Sequence, residues 1–147
     1  MKSTDSKIII YGAGAIGCTL AAWLAEKHEH TYLLCRGESA RTIREKGIEI
    51  YGEGISKNVS VKVIESIDEV RNPDVIALAV KNYSLHEILK SLAPKISSET
   101  VLLGLQNGIL NQQILSSHNN VLFGVLAYNA WIDKPGVVGF QHKGVLE

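Results

Sequence analysis

The sequence has 147 residues, of which 46% are hydrophobic and three are proline, which suits one domain with a real core and excludes a disordered segment. Fifteen basic residues balance fifteen acidic ones, so there is no electrostatic footprint for nucleic acid or for an anionic membrane. No apolar run approaches the roughly 20 residues of a membrane span.

The first six residues are short and polar, and the expectation is that no cleavable signal peptide precedes the first strand. Cys18 and Cys35 make no disulfide or metal framework, which suits a reduced, cytoplasmic protein. Ile8–Tyr11 is a run of strand-formers that ends in a glycine-rich turn, Gly12-Ala13-Gly14-Ala15-Ile16-Gly17. Helical spacing follows at once: Ile16, Leu20, Trp23 and Leu24 form a stripe, with small Ala21, Ala22 and Ala25 between them. A buried strand, G-x-G-x-x-G and then a helix form the fingerprint of a dinucleotide-binding βαβ unit. Gly12 permits the sharp turn, Gly14 lets a pyrophosphate approach the backbone, and Gly17 lets the helix pack tightly. Unpaired N–H groups at the positive end of the helix dipole complete the anion site.

His28 and His30 mark a loop and read as solvated side chains, since nothing else of ligand type lies close in sequence. Thr31–Cys35 is the second predicted strand, and Ser39–Lys46 a short helix closed by Gly47. From Gly47 to Ile64 the pattern is strand-like. GIEIY, a Gly-Glu-Gly turn and SVKVI indicate an excursion before or within the third strand. Ser66 and Glu69 form a capping box for a short helix stopped by Pro73. Asp74–Val80 is continuously apolar after its first residue, as in a parallel strand covered on both faces.

Lys81 ends that strand. Ser84 and Glu87 form a second capping box, and Leu85, Ile88, Leu89 and Leu92 a helical stripe up to Pro94. His86 reads as helix surface. Thr100–Leu105 is the next buried strand, with Gln106-Asn107-Gly108 at its end. A helix near Ile109–Leu115 and a strand Val121–Leu126 continue the alternation, and Tyr128–Glu147 reads as extended and antiparallel around Pro135-Gly136. The fold class is therefore α/β: a Rossmann-like, doubly wound, mostly parallel sheet flanked by helices.

In such sheets ligands bind beyond the carboxyl ends of the strands. The glycine turn, Arg36, Lys81 and Gln106-Asn107-Gly108 all fall there. An NAD site usually carries an acid at the end of the second strand, for the ribose hydroxyls. This chain has Arg36 instead, and a guanidinium grips a 2′-phosphate with two hydrogen bonds, so NADP is favoured over NAD. Lys81 is a fixed cation where a nicotinamide ribose would lie, and Asn107 can orient a carboxamide or a substrate oxygen. Read as isolated residues, each is also a plain surface or turn residue.

The stretches IIIYGAGAIG, CRGESARTIREKGI, DVIALAVKNYSLHEIL, VLLGLQNGILNQQIL and, more loosely, GVLAYNAWIDKPGVV resemble the N-terminal part of the ketopantoate reductases (2-dehydropantoate 2-reductases) and cover nearly all of the chain. The resemblance implies NADPH-dependent reduction of ketopantoate to pantoate in pantothenate and coenzyme A biosynthesis, with residues 1–147 as the dinucleotide-binding domain. It implies cofactor contacts from Gly12, Ala13, Gly14, Ala15, Ile16, Gly17, Arg36, Lys81, Asn107 and Ala130. Lys81 and Asn107 take supporting catalytic roles, and no metal is expected.

Family members run to about twice this length. Their helical C-terminal domain, absent here, supplies the proton-donating lysine and most of the substrate pocket, so the isolated chain is expected to be inactive. Phe140 stands where the family's block suggests histidine, with His142 displaced. The implied partner is a small 2-keto acid, with neither nucleic acid nor membrane; a homodimer stays open. Two alternatives remain: a non-catalytic NADPH-binding module, and a relative acting on another 2-keto acid.

Overall fold

The computed structural model describes residues 5–106, 118 and 120–142, the last by its backbone. Asn107 and the helix expected near Ile109–Leu115 lie outside the described residues.

Six strands form one parallel sheet: β1 (Ile8–Tyr11), β2 (Thr31–Leu34), β5 (Lys62–Ile64), β6 (Val75–Leu78), β7 (Val101–Gly104) and β8 (Val121–Phe123). Their order across the sheet is β5-β2-β1-β6-β7-β8. The chain thus winds outward from β1 to β2 and β5, then returns to lay β6 on the other side of β1. A crevice opens at that reversal, beyond the carboxyl ends of β1 and β6. The strands that flank it are the apolar ones: Ile9, Ile10, Ile76 and Leu78 are all fully buried. Continuous apolar runs are what a doubly covered parallel sheet demands.

Helix α1 (Ala15–Ala25) follows β1, α2 (Gly37–Lys46) follows β2 and α3 (Asn82–Leu92) follows β6. The box at Ser66 forms as its spacing predicts. The Ser66 hydroxyl accepts from the Asp68 N–H at 3.3 Å and the Glu69 carboxylate accepts from the Ser66 N–H at 2.9 Å, capping a single 3₁₀ turn at Ile67–Glu69. The second predicted box does not form. Helix α3 starts at Asn82, directly after an extended Lys81, which leaves Ser84 inside the first turn instead of at its cap.

A second sheet accounts for the excursion between Gly47 and Ile64. Strands β3 (Ile48–Gly52) and β4 (Ile55–Val59) form a hairpin, and β9 (Tyr128–Lys134) and β10 (Val137–His142) form another. Parallel pairing of β10 with β3 joins them in the order β4-β3-β10-β9. The β3–β4 loop is Glu53-Gly54, with φ of 49° and 78°; positive φ at both central residues matches the right-handed twist of a two-residue hairpin. Only Lys62–Ile64 joins the main sheet, as its third parallel strand.

The second sheet packs on α1, which is therefore covered on two sides. This changes which face of α1 matters. The fully buried side chains are small ones, Cys18, Thr19, Ala21 and Ala22, while the predicted stripe of Ile16, Leu20, Trp23 and Leu24 is only half-buried. Small residues let a helix sit close to a sheet. On the other side the Trp23 ring meets Tyr128 and Phe140 edge to face, with centroids 5.0 and 5.4 Å apart. Phe140 is 3% exposed, so this position belongs to the core, where a histidine would bury a polar ring.

Candidate functional site

The glycine turn, Arg36, Lys81 and Gln106 all lie just past the carboxyl ends of strands of the parallel sheet. Gly12 has φ of +111°, and a Cβ there would lie 2.7 Å from the Ala79 carbonyl oxygen. The turn is thereby pressed against the end of β6. Gly17 faces inward too: its Cβ would come within 1.7 Å of the Gly12 carbonyl oxygen, so the start of α1 closes back onto the turn. Gly14 is different. Its backbone is ordinary and extended, at φ −78° and ψ −168°, and a Cβ there would meet nothing within 4 Å. The space over Gly14 is open.

Gly14 is the N-cap of α1 and supplies no side chain, and the first turn carries no acid. The N–H groups at this helix start therefore keep their positive field unneutralised. A glycine with open space above it at an N-terminus of this kind has the shape and sign of a phosphate cradle. The dinucleotide fits on that observation, with Gly12–Gly17 as the residues that would hold its pyrophosphate.

Two cavities flank the turn. The first, of about 280 Å³, lies at the ends of β1 and β2 and is lined by Tyr11, Gly12, Ala13, Leu34, Cys35, Arg36 and Ser39. Arg36 is exposed and sits at the N-cap of α2; its Nε donates to the Glu65 carbonyl at 3.0 Å, which steadies the stem. The second cavity, of about 230 Å³, is lined by Gly14, Ala15, Ile16, Leu78, Ala79, Val80, Lys81, Leu105 and Gln106. Lys81 lies at the N-cap of α3, exposed, and makes no ion pair with a described residue. The turn thus separates an arginine-edged cavity from a lysine-edged one.

Cys35 borders the first cavity but is a poor nucleophile. Burial pushes its thiol up to about 11, against a smaller opposing pull from Arg44. Cys18, behind the turn, is pushed up to about 12, first by burial and then by the neighbouring Cys35. Both stay protonated near neutral pH.

Ala130 lies in β9 opposite Phe140, in the second sheet, and lines neither cavity. Gln106, in contrast, was singled out only as the neighbour of Asn107, yet it is built into the second cavity. Its Nε2 donates to the carbonyl oxygens of Leu78 and Val80 at 2.6 and 3.0 Å, tying the end of β7 to the end of β6. A polar residue directly after a buried strand was the one signal for it. A further cavity, of about 430 Å³, lies between α2 and the β9–β10 turn, with Lys46, Lys134, Glu38 and Glu49 on its walls. Its mixed charge and its walls from β3, β4 and the β9–β10 turn set it apart from the glycine turn.

Residues 8–147 match the family model of ketopantoate reductase PanE/ApbA. The chain is 38% identical over 140 residues to 2-dehydropantoate 2-reductase of Pyrococcus abyssi, covering 95% of this chain and 46% of that protein. Over 141 residues it is 36% identical to the Pyrococcus horikoshii enzyme of the same name, with the same two coverages. Among solved structures, a PanE/ApbA family ketopantoate reductase from Ralstonia eutropha superposes with a TM-score of 0.79 at 26% identity, over 94% of this chain and 46% of that one. D-mandelate dehydrogenase with NADH and anilino(oxo)acetate superposes with a TM-score of 0.80 at 26% identity, over 92% and 45%. The chain spans about half the length of the curated relatives it matches. With its glycine turn at the switch point of a parallel sheet and its match over residues 8–147, the chain belongs to the ketopantoate reductase family.

Proposed function

We propose that this chain is the NADPH-binding half of a 2-dehydropantoate 2-reductase, which reduces ketopantoate to pantoate on the route to pantothenate. The observation that carries the reading is the open space over Gly14 at the start of α1, with Arg36 at one flank and Lys81 at the other. A bound nicotinamide supplies the hydride that goes to the carbonyl carbon. The chain's own residues bind and orient. N–H groups of Gly12–Gly17 hold the pyrophosphate, and Arg36 takes the 2′-phosphate as a charge-assisted partner. Lys81 sets a positive charge on the nicotinamide side, and Asn107 orients the carboxamide or the substrate; Ala130 is a further cofactor contact by family resemblance.

The carbonyl oxygen must gain a proton as charge develops on it. Family resemblance assigns that proton to a lysine of the half this chain does not contain. A positioned general acid contributes ~10²–10⁴ in rate, so the 147-residue chain binds cofactor but turns over slowly by that factor or more. A second reading, reduction of another 2-keto acid, is favoured by the likeness to D-mandelate dehydrogenase.

Titrating NADPH and NADH against the wild type and Arg36→Ala tests the cofactor assignment. One charge-assisted contact contributes ~1.5–3 kcal/mol, or roughly one to two orders of magnitude of preference for NADPH. Equal wild-type affinities would defeat it. NADPH oxidation by a chain carrying both halves, with ketopantoate and with an aromatic 2-keto acid, then separates the two substrates.

A further inference from the structure

Gln106 carries an unspent hydrogen-bond acceptor. Both amide hydrogens on Nε2 are used by the carbonyl oxygens of Leu78 and Val80. That pairing settles which end of the amide is nitrogen, because an oxygen facing two carbonyls would be repelled. Oε1 is therefore aimed by the same staple. It is buried and has no hydrogen-bond partner among the described residues. Buried acceptors are nearly always satisfied, so an orphan held rigidly on a cavity wall marks where a donor arrives.

The cavity wall that holds Gln106 also holds Gly14, Ala15 and Ile16. A pyrophosphate over that turn leaves its adenosine half toward Arg36 and its other half toward Lys81. The part of the ligand that reaches Gln106 is then the nicotinamide riboside. Its donors are the ribose hydroxyls and the carboxamide N–H. We propose that Gln106 Oε1 accepts a hydrogen bond from the nicotinamide riboside half of the bound dinucleotide, a contact that rests on the cofactor reading above. The same side chain ties β6 to β7 and holds the nicotinamide end in register with Lys81. A neutral acceptor is suited to this position, since a carboxylate would oppose the adjacent pyrophosphate.

The test is a cycle between Gln106→Met and the ligand, read by calorimetry on the 147-residue chain. The ligands are NADPH, adenosine 2′,5′-bisphosphate, an NADPH analogue lacking the nicotinamide-ribose hydroxyls, and the 3-acetylpyridine analogue, which lacks the carboxamide N–H. The variant should bind NADPH roughly three- to tenfold more weakly, and adenosine 2′,5′-bisphosphate as the wild type does. With whichever analogue lacks the donor, the penalty of the variant should vanish, which identifies that donor. The wild type should itself lose the same factor with that analogue, a readout that holds even if Gln106→Met folds poorly. An unchanged NADPH affinity overturns the contact. So does an equal loss for adenosine 2′,5′-bisphosphate, or a penalty that persists in full with both analogues, since each leaves Gln106 as a strand staple alone. A wild type that binds none of the four ligands refutes the cofactor reading instead.

Discussion

The three glycines of the turn should fail in two opposite ways when each is given a methyl group. At Gly17 the new Cβ would stand 1.7 Å from the Gly12 carbonyl oxygen and 2.9 Å from its carbon. Both are backbone atoms and cannot rotate away, so α1 must shift off the turn. Overpacking of this kind costs ~1–3 kcal/mol, and a backbone clash belongs at the upper end. Gly12→Ala adds ~1–3 kcal/mol of strain from its φ of +111° to a contact of 2.7 Å with Ala79. Gly14→Ala meets nothing within 4 Å at an ordinary φ of −78°. It gains ~0.4–1 kcal/mol from a stiffer unfolded chain and gives back a similar ~0.5–1 kcal/mol at the N-cap, where glycine is preferred to alanine, leaving stability nearly unchanged. Binding should invert this order. A methyl at Gly14 stands where the pyrophosphate must approach, and losing one hydrogen bond to a charged group costs ~1.5–3 kcal/mol, about ten- to a hundredfold in affinity. Thermal melts without ligand and calorimetric titration with NADPH, on all three variants, provide the assay. Gly14→Val should exaggerate the binding loss, since a branched residue is at home in an extended backbone. If Gly14→Val binds NADPH at wild-type strength, or if Gly14→Ala melts as early as Gly17→Ala, the assignment of roles within the turn is wrong.

The other expectations are quickly stated. Phe140→Ala removes a ring that is 3% exposed and meets Trp23 edge to face, and should cost ~3–5 kcal/mol, lowering the melting temperature by ten degrees or more and shifting tryptophan fluorescence. With thiols raised to about 12 and about 11, Cys18 and Cys35 should resist a disulfide reagent at pH 8 in the folded chain and react fully in denaturant. The same shifts set a pH trend. The unfolded thiols ionise near pH 9 and the folded ones do not, so their contribution to stability is complete below pH 9 and is lost as pH rises through the folded values. A denaturation midpoint that rises between pH 9 and 11 in Cys18→Ala and Cys35→Ala relative to the wild type fits this sign; identical pH curves would contradict it.

What could be read from the chain alone was whatever depends on a few neighbouring residues. The apolar run of β1, the turn at Gly12–Gly17, the Ser66 box and the parallel character of β6 follow from backbone conformation and burial pattern, which are local properties. They suffice to put the glycine turn, Arg36 and Lys81 at carboxyl ends of strands. Tertiary pairing decided the rest. Val137–Gly139 lies beside Glu49–Tyr51, some ninety residues away in sequence, and no local signal encodes that partner. The pairing creates the second sheet, which covers α1 on its Trp23 side and turns Phe140 into core. It also holds Ala130 opposite Phe140, apart from both cavities. Gln106 reads as a turn residue until Leu78 and Val80 are brought within 2.6 and 3.0 Å of its amide, because a side chain's hydrogen bonds are chosen by what the fold places beside it.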